Sequence, residues 1–227
     1  MVYSFLTGPG LGISLAVFFI GMICRLVMYF RGLDWRLERV GYKAHMAQGM
    51  KGGLHSICKW LIPFGTHGWR AQPFFTICFF LFHFGAVLVP LFLAGHNVIL
   101  KNTLGFSFPS MPQSLADALT ACAIIGAIFI VLRRIALSEV RILTTYKDYL
   151  VLALATAPFI TGLIARMHVA PYDGWLTLHI FTGELLLILA PFTRLSHIAL
   201  FFASRWQLGA DFGIKRGGHK RGPCFPW

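Results

Sequence analysis

Five apolar blocks of about 20 residues constrain this chain more than any other feature of its sequence. A helix of that length crosses a hydrocarbon core of about 30 Å. The blocks explain why 57% of the 227 residues are hydrophobic and only 12% are charged, about half the charged share of soluble domains. The sequence therefore predicts an all-α polytopic membrane protein and argues against a soluble enzyme. The spans are expected at about residues 9–30, 73–96, 115–132, 149–165 and 175–202.

The positive charges are distributed unevenly between the connections. Sixteen Lys and Arg residues fall in three segments, whereas Lys101 and Arg166 alone fall in the segments on the opposite side. The three segments are residues 31–72, 133–147 and 204–227. Basic connections stay in the cytoplasm, so we expect a periplasmic N-terminus and a cytoplasmic C-terminus in the bacterial inner membrane.

The same distribution suggests the domain organisation. We expect one five-helix bundle over residues 1–203, which includes the cytoplasmic loop 31–72, followed by a basic cytoplasmic tail over residues 204–227. The net charge of +12 then follows from membrane topology. No basic stripe is interleaved with stacking aromatic residues, so no nucleic-acid partner is expected.

The sequence lacks the motifs of several kinds of active site. The five cysteines form no CxxC, CxxCH or iron–sulfur run, which argues against covalent c-type haem and a cluster bound by this chain. There is no Ser-His-Asp set, phosphate-binding glycine loop or HExxH motif. We therefore predict no catalytic residues, and expect the lipid bilayer as the first partner.

Four of the nine histidines lie in or at the ends of the apolar blocks: His83, His96, His179 and His197. An ionisable residue inside a span indicates function. His179 and His197 are 18 residues apart, which on one continuous helix is about five whole turns and about 27 Å. The second span runs in the opposite direction. His83 and His197 are therefore expected at the same depth near the cytoplasm, and His96 and His179 at the same depth near the outside.

Two imidazoles at one depth on facing helices are what bis-histidine ligation of a b-type haem requires. The four histidines thus predict two stacked haems b and an electron path across the membrane. The alternative is that each histidine is a hydrogen-bonded packing residue. His96 is the weakest ligand candidate, because on one helix it would lie about 140° out of phase with His83. Pro90 could redirect the helix, or His96 lies beyond the helix end after Gly95.

Three charged residues within the spans fit the same hypothesis. Arg25 and Arg194 are costly in lipid, and guanidinium groups pair well with carboxylates such as haem propionates. Snorkelling to the interface is their alternative role. Glu184, one turn after His179, is a candidate to bond a ligand imidazole or to exchange a proton with a quinol.

Several stretches together resemble the gamma subunit of respiratory nitrate reductase, a family of dihaem cytochromes b. LHIFTGELLLILAPFTRLSHI at 178–198 resembles the fifth span of that family, including the 18-residue spacing between histidines. The first span of that family is similar to VFFIGMICRLVMYFRG at 17–32, and its connector into span four is similar to LRRIALSEVRILTTYKDYL at 132–150. The segment around its first ligand in span two resembles LFHFG at 81–85. The resemblance implies haem ligation by His83, His179 and His197, with the Gly95-His96 pair similar to the remaining ligand.

Two departures make the chain more similar to relatives from sulfate-reducing bacteria. The 31–72 loop is longer than in the reductase, and the lysine associated there with quinol binding has no clear counterpart. Length and tail most resemble the cytochrome b subunits of the high-molecular-weight cytochrome complexes, which serve anaerobic respiration and sulfate reduction. The resemblance implies electron transfer between a periplasmic multihaem cytochrome c or menaquinone and a cytoplasmic iron–sulfur subunit of the heterodisulfide-reductase type, together with other membrane subunits.

Two other functions remain open at this point. One is a haem-free membrane anchor for a soluble redox enzyme, which would show no b-type absorption band. The other is a small transporter or channel, although the sequence shows no inverted repeat and no pair of broken helices.

Overall fold

A computed structural model describes residues 2–33 and 45–215 of the chain, and all secondary structure in these ranges is helical. Residues 34–44 and 216–227, which include parts of the predicted loop and tail, lie outside the described residues. In chain order the helices are α1 (Val2–Arg31), α2 (Met46–Leu61), α3 (His67–Ala71), α4 (Pro73–Phe92), α5 (Ala94–Leu104), α6 (Gln113–Ala136), α7 (Ser138–Ile142), α8 (Tyr146–Arg166), α9 (Tyr172–Leu189) and α10 (His197–Lys215).

Five of these helices are long and apolar enough to cross a membrane, which confirms the expected number of spans. They are α1, α4, α6, α8, and α9 extended by a 3-10 turn to Phe192. The chain is therefore a multi-pass membrane protein. Residue 203, predicted as the end of the membrane domain, lies within α10.

The described residues form two compact units. The first comprises residues 2–18 and 77–190, and the second comprises residues 19–33, 45–76 and 191–215. In the first unit, Val89 of α4, Ala123 of α6 and Phe159 of α8 form a buried apolar cluster.

Glycines bring the helices of the first unit close together. A Cβ atom on Gly126 of α6 would stand 2.8 Å from the carbonyl oxygen of Cys78 on α4, and one on Gly85 of α4 would stand 2.7 Å from the Cβ of Ala123. Inside a membrane the hydrophobic effect does not drive helices together, and small residues at helix crossings allow close backbone packing that stabilises the contact. Helix α8 starts at a capping box, in which the Thr145 amide donates to the Asp148 carboxylate at 2.8 Å. This bond explains why Asp148 is buried.

The fifth span ends earlier than expected. We predicted one helix over about 175–202, but α9 ends at Leu189 and a 3-10 turn leads to Thr193, whose backbone is extended. The expectation that His179 and His197 share one continuous helix is wrong. Pro191 lacks the N–H that a continuing helix needs.

Helix α1 stabilises this break in the second unit. The Arg25 Nε donates a hydrogen bond of 2.6 Å to the carbonyl oxygen of Pro191. One turn earlier, Gly21 leaves room for the proline ring, because a Cβ there would stand 2.6 Å from the Pro191 Cβ.

Candidate functional site

The structure distributes the four predicted ligand histidines over four helices. His83 lies within α4 and His179 within α9. His96 is the third residue of α5, and His197 is the first residue of α10.

All four of these histidines hydrogen-bond a backbone carbonyl oxygen through the same ring nitrogen, Nδ1. The pairs are His83 with Phe79 at 2.8 Å, His96 with Pro90 at 3.2 Å, His179 with Pro158 at 2.9 Å, and His197 with Arg194 at 2.9 Å. A carbonyl oxygen only accepts, so each Nδ1 carries the proton and donates. In a neutral imidazole the other nitrogen, Nε2, then carries the acceptor lone pair of the ring. That is the form in which histidine binds a metal, with the Nδ1 hydrogen bond fixing the ring orientation.

His96 and His179 are brought together, as their predicted depth requires. Their ring centroids are 5.9 Å apart and the ring planes differ by 7°. Two imidazoles that bind one metal from opposite sides through Nε2, at bonds of about 2 Å, have ring centres about 6 Å apart. The spacing of the two rings is therefore that of a pair that could hold one metal ion between them.

A break in the second span gives His96 its position. Helix α4 ends at Phe92, Leu93 is extended, and α5 starts at Ala94. The two histidines of this segment therefore do not share one helix, which removes the phase conflict between them. The break also frees carbonyl groups at the end of α4: the Pro90 oxygen accepts from His96, and the Phe92 oxygen accepts from the Met111 amide at 2.8 Å.

Asn97 holds the following loop beside His96. This side chain is buried; its Oδ1 accepts from the Phe108 amide at 2.9 Å and its Nδ2 donates to the Ser110 hydroxyl at 3.4 Å. Asn97 was not among the residues predicted from the sequence. A polar residue next to a candidate ligand, followed by a loop rich in Gly, Ser and Pro, is the signal that could have identified it.

The ring of His179 rests on the backbone of α8. A Cβ atom on Gly162 would stand 2.8 Å from the ring Cε1 and 2.9 Å from Nδ1, so only glycine leaves space for this ring. Thr161 and Thr182 link α8 and α9 next to it, with their hydroxyl oxygens 3.2 Å apart. Gly162 was also missed, because a lone glycine in a span usually serves close helix packing alone.

His83 lies among aromatic side chains of its own helix. Its ring stacks on Phe79 with centroids 3.9 Å apart and meets the edge of Phe82 at 5.3 Å. His83 belongs to the first unit and His197 to the second, so their pairing stays a prediction from the sequence.

The two arginines differ in their surroundings. Arg25 is half-buried and bonds the Pro191 carbonyl, as described above. Arg194 is exposed, and its backbone oxygen accepts the His197 hydrogen bond. A role toward haem propionates stays a prediction for both.

Glu184 is 7% exposed, and its Oε1 has no hydrogen-bond partner. Its Oε2 lies over the backbone of Gly10, 3.1 Å from where a Cβ would stand. Gly10 ends a π-helical turn that starts at Leu6 and contains Pro9. Single π-helical turns inside α-helices are frequent at functional sites. A buried acid without a partner inside a span is expected to have a function.

No three side chains of His, Cys, Asp or Glu gather into a possible metal site within residues 2–33 and 45–215. Of the other histidines, His168 is exposed and stacks on Tyr172 with centroids 5.0 Å apart.

Comparison with known proteins identifies a relative over the full length of the chain. No protein-family profile matches the chain. The chain is 64% identical over 226 residues to a protein of Nitratidesulfovibrio vulgaris (strain Hildenborough), the alignment covers 100% of both, and the name of that relative is simply "Protein". The chain therefore belongs to the same family as this protein of Nitratidesulfovibrio vulgaris.

Proposed function

We propose that this chain is the b-type cytochrome subunit of a membrane redox complex and carries electrons across the bilayer through two haems b. The outer haem is held by His96 and His179, and the inner haem by His83 and His197. The donor or acceptor on the periplasmic side is a cytochrome c or menaquinone, and the cytoplasmic partner is an iron–sulfur subunit.

The observation that carries this proposal is the His96–His179 pair. Two rings 5.9 Å apart and parallel to within 7° lie between helices of one unit, and each is fixed by an Nδ1–H bond to a carbonyl oxygen. A packing histidine in a span needs one partner for each polar nitrogen. His96 and His179 each use Nδ1 for a carbonyl oxygen, so Nε2 is the nitrogen through which each ring would bind a metal.

A haem b supplies one-electron redox chemistry when it is bound. The histidines would hold the iron, and the hydrogen bonds to carbonyl oxygens would keep each ring oriented and increase its basicity. The buried apolar cluster of Val89, Ala123 and Phe159 lies in the same unit and contributes to a low-dielectric interior. The pairing of His83 with His197, the orientation of the termini and the partner subunits are supported by the sequence alone.

The decisive experiment is a haem count on the purified full chain, combined with reduced-minus-oxidised spectra. We expect two non-covalent haems per chain and a b-type band. His96→Ala and His179→Ala should each lose one haem, and the same one, because each removes one axial bond of the outer site.

His67→Ala provides the matched control. His67 is an exposed histidine at the start of α3, and its loss should leave both haems bound. A wild-type chain without a b-type band would refute the proposal and support a haem-free membrane anchor. Retention of both haems in His96→Ala and His179→Ala would show that these residues serve packing.

A further inference from the structure

Helix α2 has three faces of different chemistry. At 100° per residue, Met46, Met50, Leu54 and Leu61 fall within a sector about 80° wide, and all four side chains are about half exposed or more, with Leu54 at 58%. The adjacent polar sector comprises Gln48, Lys51, His55 and Lys59. The remaining sector comprises Gly49, Gly52, Gly53 and Ser56, all buried.

The small-residue face of α2 is already occupied by α10. A Cβ on Gly52 would overlap the carbonyl oxygen of Gly209, and one on Gly53 would stand 2.8 Å from the Trp206 ring. The two backbones are therefore in direct contact along this face. Since α10 takes the glycine face, the apolar face of α2 is left without a cover among the described residues.

Aromatic side chains of α10 extend this apolar face. Trp206 crosses over Gly53 and is still 40% exposed, and Phe202 lies one turn earlier at 48%. On the other side, the Arg205 guanidinium lies 4.7 Å from the ring centre of Trp60. Tryptophan rings beside cationic groups are typical of the membrane–water interface.

We propose that the apolar face of α2, formed by Met46, Met50, Leu54 and Leu61, lies in the membrane interface and binds anionic phospholipid. An exposed apolar stripe next to a basic sector on one helix is the pattern of an interfacial amphipathic helix. The chain leaves one span at Arg31 and enters the next at Pro73, so both ends of this segment are tethered to the same membrane surface.

Charge selects the lipid. Residues 45–72 contain Lys51, Lys59 and Arg70 and no Asp or Glu. Basic residues at a membrane surface attract anionic headgroups, whereas the polar sector prevents α2 from sinking further into the hydrocarbon. This inference does not rest on haem binding.

The test places a photoreactive benzophenone residue at position 54 or at position 51 of the full chain, reconstituted in nanodiscs of phosphatidylglycerol and phosphatidylcholine. Position 54 lies on the apolar face and position 51 on the polar sector. We expect position 54 to form lipid adducts in severalfold higher yield than position 51. Equal yields, or no lipid adduct at position 54, would overturn the proposal.

Charge is tested by replacing Lys51 and Lys59 with Gln, with the reactive residue at position 54. At low salt, the ratio of phosphatidylglycerol to phosphatidylcholine adducts should fall about fivefold for each lysine. Lys101→Gln, which removes an exposed lysine from α5, is the matched control and should leave the ratio unchanged. An unchanged ratio in the double variant would overturn the anionic preference.

A second arm repeats the cross-linking at position 54 in native membranes. Lipid adducts there would support the proposal, and capture of a protein in their place would overturn it in favour of a subunit interface. Haem content, measured on the same samples, reports on the redox proposal separately.

Discussion

Replacing Gly162 with alanine would place a methyl group against the ring of His179. The added Cβ would stand 2.8 Å from Cε1 and 2.9 Å from Nδ1. Favourable contacts between carbon atoms lie at about 3.5–4.0 Å, so the ring must withdraw by roughly 1 Å. The Nδ1–H bond to the Pro158 oxygen, now 2.9 Å, would then exceed the range of about 2.7–3.2 Å in which such bonds are effective.

The fold should survive this change. Alanine in a helix increases the free energy of unfolding over glycine by about 1 kcal/mol. This gain offsets the loss of one hydrogen bond, which costs about 1 kcal/mol. Metal binding should suffer far more, because loss of the group that orients a ligand histidine typically costs about 10–100-fold in affinity. We therefore expect Gly162→Ala to insert normally and to lose the outer haem on purification.

The assay is the haem count with optical spectra, compared with Gly183→Ala. Gly183 lies on α9, and a Cβ there meets nothing within 4 Å, so the same substitution should leave both haems bound. The reasoning is refuted if Gly162→Ala keeps both haems with unchanged spectra, or if Gly183→Ala loses as much haem.

Four further predictions follow from other residues. His197→Ala should lose one haem and keep the other reducible from the periplasmic side; loss of both on an intact fold would contradict separate sites. A reporter fused after Trp227 should behave as cytoplasmic, and a periplasmic signal would invert the topology. Asn97→Ala should leave the Phe108 amide without its partner, cost about 1–3 kcal/mol and lower the thermal midpoint; an unchanged midpoint would show that the loop is held by other contacts. Glu184→Gln should keep both haems and flatten the pH dependence of one midpoint potential, because the replacement cannot ionise; an unaltered pH dependence would exclude proton exchange at this residue.

The spans could be predicted because hydropathy acts over whole blocks. A run of about 20 apolar residues has few alternatives to a membrane helix, and all five blocks become helices. The proximity of His96 and His179 could also be predicted from the sequence. Antiparallel spans run in opposite directions, so the end of one span lies at the depth where an antiparallel span begins. In the first unit the structure brings these two rings together.

The helix breaks were harder to predict. Sequence phase assumes one continuous helix, and this assumption failed between His179 and His197. Between His83 and His96 the sequence left open a redirection at Pro90 or a helix end after Gly95, and the structure has the break at Leu93. Pro90 and Pro191 marked both regions, yet a proline alone does not say whether a helix kinks or ends. The outcome depends on distant partners: Arg25 bonds the Pro191 carbonyl, and no local pattern connects those two residues.

The breaks and the candidate ligands belong together for a physical reason. The end of a helix leaves backbone carbonyl groups without hydrogen-bond donors. Inside a membrane each carbonyl group without a hydrogen bond costs several kcal/mol of free energy. His96 donates to the Pro90 oxygen at the end of α4, and His197 donates to the Arg194 oxygen beside the end of the fifth span. Each bond gives a carbonyl oxygen a donor and fixes the orientation of an imidazole ring. The helix breaks that interrupt the spans therefore also provide the carbonyl groups that orient two of the four histidines. A variant with a continuous helix through Leu93 would be expected to lose the hydrogen bond that orients His96.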